Sequence, residues 1–117
     1  MDLKKVSVII PILNEERYIK GCLDSLMEQD YPKEFLEIIL VDGLSDDKTL
    51  DIIKDYIKKY PFIKLYVNSH RTVQYAMNIG ISNATGEYIV RMDAHAWYAN
   101  DYISMCVKYL QKTKAQN

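Results

Sequence analysis

No apolar run in this 117-residue chain approaches the ~20 residues that span a bilayer; its nearly uncharged stretches are strand-sized. A basic excess is missing too. Fifteen Lys and Arg stand against sixteen Asp and Glu, for a formal net charge of −1, so no positive field argues for nucleic acid. Cysteine is scarce. Cys22 and Cys106 are isolated within helical stripes, with no Cys or His at metal-ligand spacing. That excludes a disulfide framework, and both are expected to be reduced core residues, as suits a cytoplasmic protein. There is no GxGxxG and no GxxxxGK[ST], so neither the dinucleotide nor the P-loop way of holding phosphate is in use. Internal repeats, low-complexity tracts and linkers are absent as well.

What is present has an ordinary globular balance, 49% apolar and 26% charged, in a length that fits one domain, residues 1–117. The opening "MDLKKVSVIIPILNEE" has the charge order of a signal peptide. Its apolar run is only about seven residues, contains a proline and meets Asn-Glu-Glu without a cleavage site, so it reads as a first strand. The β-branched run from Val6 to Ile10, bounded by Pro11, predicts a buried strand. Asn14 can cap the next helix, with Ile19, Cys22, Leu23 and Leu26 at the helical period. Ile38 to Val41 predicts a second strand closing on Asp42-Gly43. After "DGLSDDKT", where Ser45 or Asp46 can cap, comes a second helix with Leu50, Ile53, Tyr56, Ile57 and Tyr60 on one side. Ile63 to Val67 predicts a third strand. A third helix over about 72–84 turns Val73, Ala76, Met77, Gly80 and Ile81 inward. The fourth strand is expected over 87–92, and a last helix from a cap at Asn100 through Leu110, before a fraying tail. Strands alternating with helices imply an α/β protein with a mainly parallel sheet between helical layers.

In such a sheet, ligands bind outside the carboxyl ends of the strands. This sequence gathers its polar groups there: Pro11, Asn14 and Glu15 after strand one, and Asp42, Gly43, Ser45 and Asp47 after strand two. Asn68, His70 and Arg71 come after strand three, and Asp93 and His95 after strand four. The other edge receives plain turns such as "YPKEF" and "ATGE". The set suits a nucleoside diphosphate. An acid after strand two can accept from a base N–H or a ribose hydroxyl, Arg71 can meet phosphate oxygens, and Asp93 with His95 can ligate a divalent cation. Each feature has a plainer reading when taken alone. Asp42 can cap a turn, Asn14 a helix, Arg71 can be a solvated charge, and any loop can hold Asp-x-His. The ten tyrosines are too scattered among basic residues to form a stacking platform.

Together, "VSVIIPILNEERYIKGCLDSLMEQDYP", "EIILVDGLSDDKT", "AMNIG" and "ATGEYIVRMDAHA" resemble the nucleotide-binding half of family-2 glycosyltransferases, in the family's order and over nearly the whole chain. The resemblance implies the three-layer GT-A fold with strand order 3-2-1-4. It also implies transfer of a sugar, with inversion, from a nucleotide-sugar (a UDP-sugar in most members) to an acceptor hydroxyl on a saccharide or glycolipid. Carried onto this chain, Pro11, Asn14 and Glu15 line the nucleoside pocket, Asp42 contacts base or ribose, and Arg71, Gln74 and Asn78 approach the donor. Asp93 and His95 occupy the family's Asp-x-Asp, which holds Mn²⁺ or Mg²⁺. His95 in place of an acid is a departure, similar to the Asp-x-His of the polypeptide N-acetylgalactosaminyltransferases. "RMDAHAWYANDYI" is also similar to bacterial exopolysaccharide transferases of the succinoglycan type, with Ala99 where proline is common. Members run on for roughly another domain, which supplies the acceptor site and catalytic base. The chain is therefore expected to be a fragment with no assigned base. Two other readings stand beside this one. A stand-alone nucleotide-binding module would transfer nothing. A flavodoxin-like regulatory domain would explain the acids at the strand ends but leaves "PILNEE" and "AMNIG" without a role.

Overall fold

In a computed structural model, which describes residues 3–115, the chain alternates strands and helices as its periodicity predicts. The strands are β1 (Val6–Ile12), β2 (Leu36–Asp42), β3 (Ile63–Val67) and β4 (Tyr88–Arg91). The helices are α1 (Ile19–Met27), α2 (Thr49–Lys59), α3 (Val73–Asn83) and α4 (Tyr102–Ala115), with one 3-10 turn at Lys33–Phe35. All strand pairs are parallel and the sheet order is β3-β2-β1-β4. Every strand therefore ends at the same edge.

β1 and β2 lie at the centre and are apolar almost throughout, as strands covered on both faces must be. Val8, Ile10, Ile38 and Leu40 meet α1, α2 and α4 on one face, through Leu23, Ile53 and Ile103. Ile9, Ile39 and Val41 meet α3 on the other, through Ala76. The result is three layers, α/β/α.

β1 runs two residues further than its sequence suggests, straight through Pro11. The register explains why. β1 pairs with β2 as far as Ile12–Asp42, but with β4 only as far as Ile9–Arg91. Met92 N–H donates to the Ile9 carbonyl, so alternate residues of β1 bond toward β4, and Pro11, two residues on, turns its missing N–H to the side where β4 has ended. A proline in a central strand is tolerated because it sits where the ladder has already lost a partner.

Three other expectations are corrected. α1 starts at Ile19, not next to Asn14, and no side chain caps it. Asn14 has φ 51 and belongs to the preceding turn. In α3 only Ala76 and Gly80 are buried, while Val73 and Ile81 are half exposed. Gly80 explains this tilt, since a Cβ there would stand 2.5 Å from Ile9 Cγ2, so the helix rests its smallest residues on the sheet. α4 continues to Ala115 through the segment expected to fray.

The edge opposite the site is not made only of plain turns. Glu37 is buried there, accepting from Ser7 Oγ (2.8 Å), Thr85 N (2.9 Å) and Lys64 Nζ (2.7 Å). Gly86 N in turn donates to Ser7 Oγ at 2.8 Å. This network ties β1, β2, β3 and the turn before β4 together.

Candidate functional site

The carboxyl edge is built from four loops that hydrogen-bond to one another. After β1 the chain turns at Asn14, whose N–H donates to Ser45 Oγ (2.8 Å) and whose Oδ1 accepts from Asp46 N (2.9 Å). Glu15 N donates to Thr49 Oγ1 at 2.8 Å. The β1 loop is thereby fastened to the loop after β2. That second loop is closed by Asp42, which accepts from Ser45 N (2.9 Å) and Ser45 Oγ (2.5 Å). α2 is opened by neither Ser45 nor Asp46. Asp47 does it, with Oδ1 accepting from Thr49 N at 2.9 Å and Thr49 Oγ1 at 2.5 Å. The third loop folds on buried Asn68, whose Oδ1 accepts from His70 N and whose Nδ2 donates to the Thr72 carbonyl. Its own N–H donates to the Asp42 carbonyl.

Three non-glycine residues have left-handed backbones, Asn14 (φ 51), Leu44 (φ 69) and Arg71 (φ 63). All three lie in these loops. Such conformations cost about 1–2 kcal/mol for a residue with a Cβ, and no described strand or helix interior contains one. Backbone strain is concentrated at the edge where the polar groups collect.

The fourth loop carries Asp93 and His95. His95 N–H donates to Asp93 Oδ1 at 2.8 Å, and the ring Nδ1 stands 3.1 Å from the same oxygen. On its other side His95 Nε2 is 3.1 Å from Glu15 Oε1. The Tyr18 ring packs beside the imidazole, with centroids 5.0 Å apart. Glu15 is buried whereas Asp93 is mostly exposed. Burial pushes the Glu15 carboxyl above its usual range, His95 pulls it back, and Asp93 and Asp47 add to the rise. The His95 backbone N–H holds the Asp93 carboxyl below its usual range, against a push from burial and with help from the His95 ring and Arg91.

Beside this group lies a cleft of about 150 Å³ bordered by Pro11, Glu15, Gly43, Asn68, Arg71 and Thr72, among others. A complete small-molecule pocket is usually about 300–1,000 Å³. This cleft is therefore large enough for a planar base but not for a whole nucleotide-sugar. Pro11, Glu15 and Arg71 border it directly. Asp42 lies between two bordering residues, Val41 and Gly43, and is 1% exposed with Ser45 on both its oxygens. Gln74 and Asn78 are exposed on α3 and do not border it.

Contacts that sequence reasoning missed are those between distant loops: Glu15 with His95, and Asn14 and Glu15 with Ser45 and Thr49. No spacing rule signals a contact across eighty residues. Among the described residues, no group of three or more His, Cys, Asp or Glu side chains is arranged to hold a metal ion alone. Asp93 and His95 offer two suitable donors, one carboxylate oxygen and one imidazole nitrogen. Ions that share their shell with substrate phosphates and water need no more from the protein than one or two such ligands.

The model of glycosyl transferase family 2 matches residues 7–117. Over 113 residues the chain is 45% identical to a dolichyl N-acetyl-alpha-D-glucosaminyl phosphate 3-beta-D-2,3-diacetamido-2,3-dideoxy-beta-D-glucuronosyltransferase of Methanococcus voltae, covering 95% of this chain and 35% of that protein. Among solved structures it superposes on a mannosyltransferase from Pyrobaculum calidifontis in complex with GDP-Man and Mn²⁺. The TM-score is 0.87 at 34% identity, over 93% of this chain and 33% of the other. It also superposes on the S. aureus protein TarS in complex with UDP-GlcNAc, with TM-score 0.81 at 29% identity, over 92% of this chain and 31% of the other. The chain thus spans about a third of the length of these relatives. Among the described residues, no helix is long and apolar enough to cross a membrane. A parallel sheet in the order 3-2-1-4, polar loops gathered at its carboxyl edge and a family match over nearly all its residues agree: this chain belongs to glycosyl transferase family 2.

Proposed function

We propose that the chain is the donor-binding domain of a longer inverting glycosyltransferase. It would bind a nucleotide-sugar, a UDP-sugar by preference, together with a divalent cation, Mn²⁺ or Mg²⁺. The sugar would pass to an acceptor hydroxyl on a saccharide or glycolipid, in polysaccharide or glycoconjugate synthesis. The observation that carries this reading is the pairing of Asp93 Oδ1 and His95 Nδ1, 3.1 Å apart, beside a base-sized cleft.

In this reading the base sits against Pro11 and Arg71, with Asn14 and Glu15 holding the loop that frames it. Asp42 reaches base or ribose by exchanging a Ser45 contact for a ligand N–H or O–H. Arg71 is exposed and free to meet phosphate, and Gln74 and Asn78 lie further along the donor's path on α3. Asp93 and His95 would hold the cation, which neutralises diphosphate charge when bound. No residue here is assigned as catalytic base. The small cleft and the relatives' threefold greater length support an acceptor site and base contributed by further chain, so the 117 residues alone should bind donor and not transfer it. The same reading places the domain in the cytoplasm, in keeping with two free cysteines.

Calorimetric titration of UDP, GDP and their sugars, with and without Mn²⁺, tests this. Binding that tightens with Mn²⁺, without transfer to added acceptors, is the expected result. Absence of binding by any of them would overturn the donor-site reading. Robust transfer by the isolated chain would overturn its incompleteness.

A further inference from the structure

Resting on the donor reading above, in which Arg71 meets the nucleotide's phosphates, we propose that His70 and Tyr75 are positioning residues for Arg71. Their stacked rings hold the backbone of residue 71 in the conformation that keeps Arg71 at the border of the cleft.

Arg71 borders that cleft, yet among the described residues no acid pairs with its guanidinium. With the tip unheld, the reach of the side chain is decided at its root. That root is unusual, with φ 63 in the left-handed region, which a Cβ disfavours. Buried Asn68 fixes the inner side of the loop. Its carbonyl accepts from Arg71 N (3.3 Å), its Oδ1 accepts from His70 N (3.1 Å), and its Nδ2 donates to the Thr72 carbonyl (2.8 Å). The outer side faces solvent, since His70, Arg71 and Thr72 are all exposed. There the His70 ring lies on the Tyr75 ring, with centroids 4.0 Å apart and planes 13° from parallel. That is close for an aromatic pair.

The stack sits where the entry to a helix is usually stapled. Thr72 caps α3, its Oγ1 accepting from Tyr75 N at 3.3 Å. A hydrophobic staple joins the residue before the cap to the fourth helical residue, and here those are Arg71 and Ala76. Ala76 is buried against the sheet, so the stapling contact moves one residue outward, to His70 and Tyr75. It fixes how the chain enters α3 without consuming the Arg71 side chain. Residues 70 and 72 are thus both tied to Tyr75, one through its ring and the other through its backbone N–H, with Arg71 between them. From the far side, Arg71 Cα rests against Gly43, where an added Cβ would stand 3.5 Å from it. Such a clamp selects one backbone state, and apparent affinity falls with any loss in the fraction of chains that hold the competent state.

The test is calorimetry of UDP (or GDP, if that is what binds) with the 117-residue chain at saturating Mn²⁺. Arg71→Ala should weaken binding on the order of 10-fold or more. His70→Ala keeps the backbone bonds of the loop and removes only the ring. It should weaken binding about 2–10-fold, and so should Tyr75→Ala. His70→Phe and Tyr75→Phe, which keep a stack, should bind like the wild type. The deciding measurement is the double variant, because His70→Ala should cost nothing further once Arg71 is alanine. A loss that persists in the Arg71→Ala background would overturn this inference, by making the rings a direct contact for the nucleotide. Wild-type affinity in His70→Ala, beside a loss in Arg71→Ala, would overturn it too; the stack would then be a helix staple alone, and the donor reading would stand. Unchanged binding in Arg71→Ala would overturn both this inference and the phosphate role of Arg71, and no nucleotide binding by the wild type would remove the donor reading with them.

Discussion

Glu37 sits in β2 with its side chain 2% exposed and an ion pair to Lys64 at 2.7 Å. Burial pushes its carboxyl up, but Lys64, the Thr85 N–H and Ser7 outweigh that and hold it at about 2, against 4.5 for a free glutamate. The folded state therefore binds this proton more weakly than the unfolded state. The resulting stability is fully present above about pH 4.5 and is lost as pH falls toward 2. At ~1.4 kcal/mol per pKa unit, the full difference is about 3 kcal/mol. About 2 kcal/mol of it is gone by pH 3. The same ion pair raises Lys64, so it is one coupling and is counted once. Glu37→Gln keeps the size and the carbonyl acceptor but removes the charge and turns an N–H₂ toward Lys64. Urea unfolding of both proteins at several pH values from 6 to 3 isolates the effect, because every other carboxylate titrates alike in the two. The variant should be less stable by about 3 kcal/mol at pH 6 and by about 1 at pH 3, with unchanged m-values. A gap that stays constant with pH would refute the reasoning, since it would make the loss steric and not electrostatic.

Two further predictions concern packing and reactivity. Gly86→Ala should destabilise the chain by about 2–4 kcal/mol in the same unfolding assay, because a Cβ there would stand 2.6 Å from Ser7 N and 2.9 Å from the Val6 carbonyl carbon, backbone atoms that cannot move aside. Cys22 is buried, its thiol pushed up to about 12 chiefly by burial, with Asp93 and Glu15 adding to the rise. Iodoacetamide labelling of the native chain at about pH 8, read by mass spectrometry, should modify half-buried Cys106 well before Cys22, and equal rates would contradict the packing of α1 on the sheet.

The framework of the fold is legible in the sequence because its signals are local. Val6 to Ile10 and Ile38 to Val41 are too β-branched and too short for helices, and the stripe Ile19, Cys22, Leu23, Leu26 has only one reading. Boundaries fail where a distant neighbour decides. Pro11 ends a strand by its own chemistry, yet β1 passes through it, because what matters is whether β4 is still alongside. Val73 and Ile81 fit an inward stripe of α3 by period, but the close approach of Gly80 to Ile9 rotates the helix and turns them outward. Glu37 is readable in principle, as the one acid inside the buried run "LEIILV", but its partners Ser7, Lys64 and Thr85 come from three other segments.

For the site, sequence order and topology identify which residues share an edge, and burial then separates two kinds among them. Asp42 and Asn68 are each 1% exposed and spend their side-chain polar atoms within their own loops. Their first task is to shape the edge, whatever ligand contacts they make afterwards. Asp93 and His95 are exposed and meet acids or each other, an arrangement that leaves unmatched lone pairs facing solvent. From sequence alone, Asp42 and Asp93 look equivalent, each an acid at the end of an apolar strand. Their turns set them apart. Ser45, three residues on, supplies a donor to each Asp42 oxygen, whereas His95 meets only Oδ1 of Asp93, with its backbone N–H and its ring Nδ1. A turn that satisfies its own acid is complete without a ligand. A turn that does not is where a cation or a nucleotide gains most by binding.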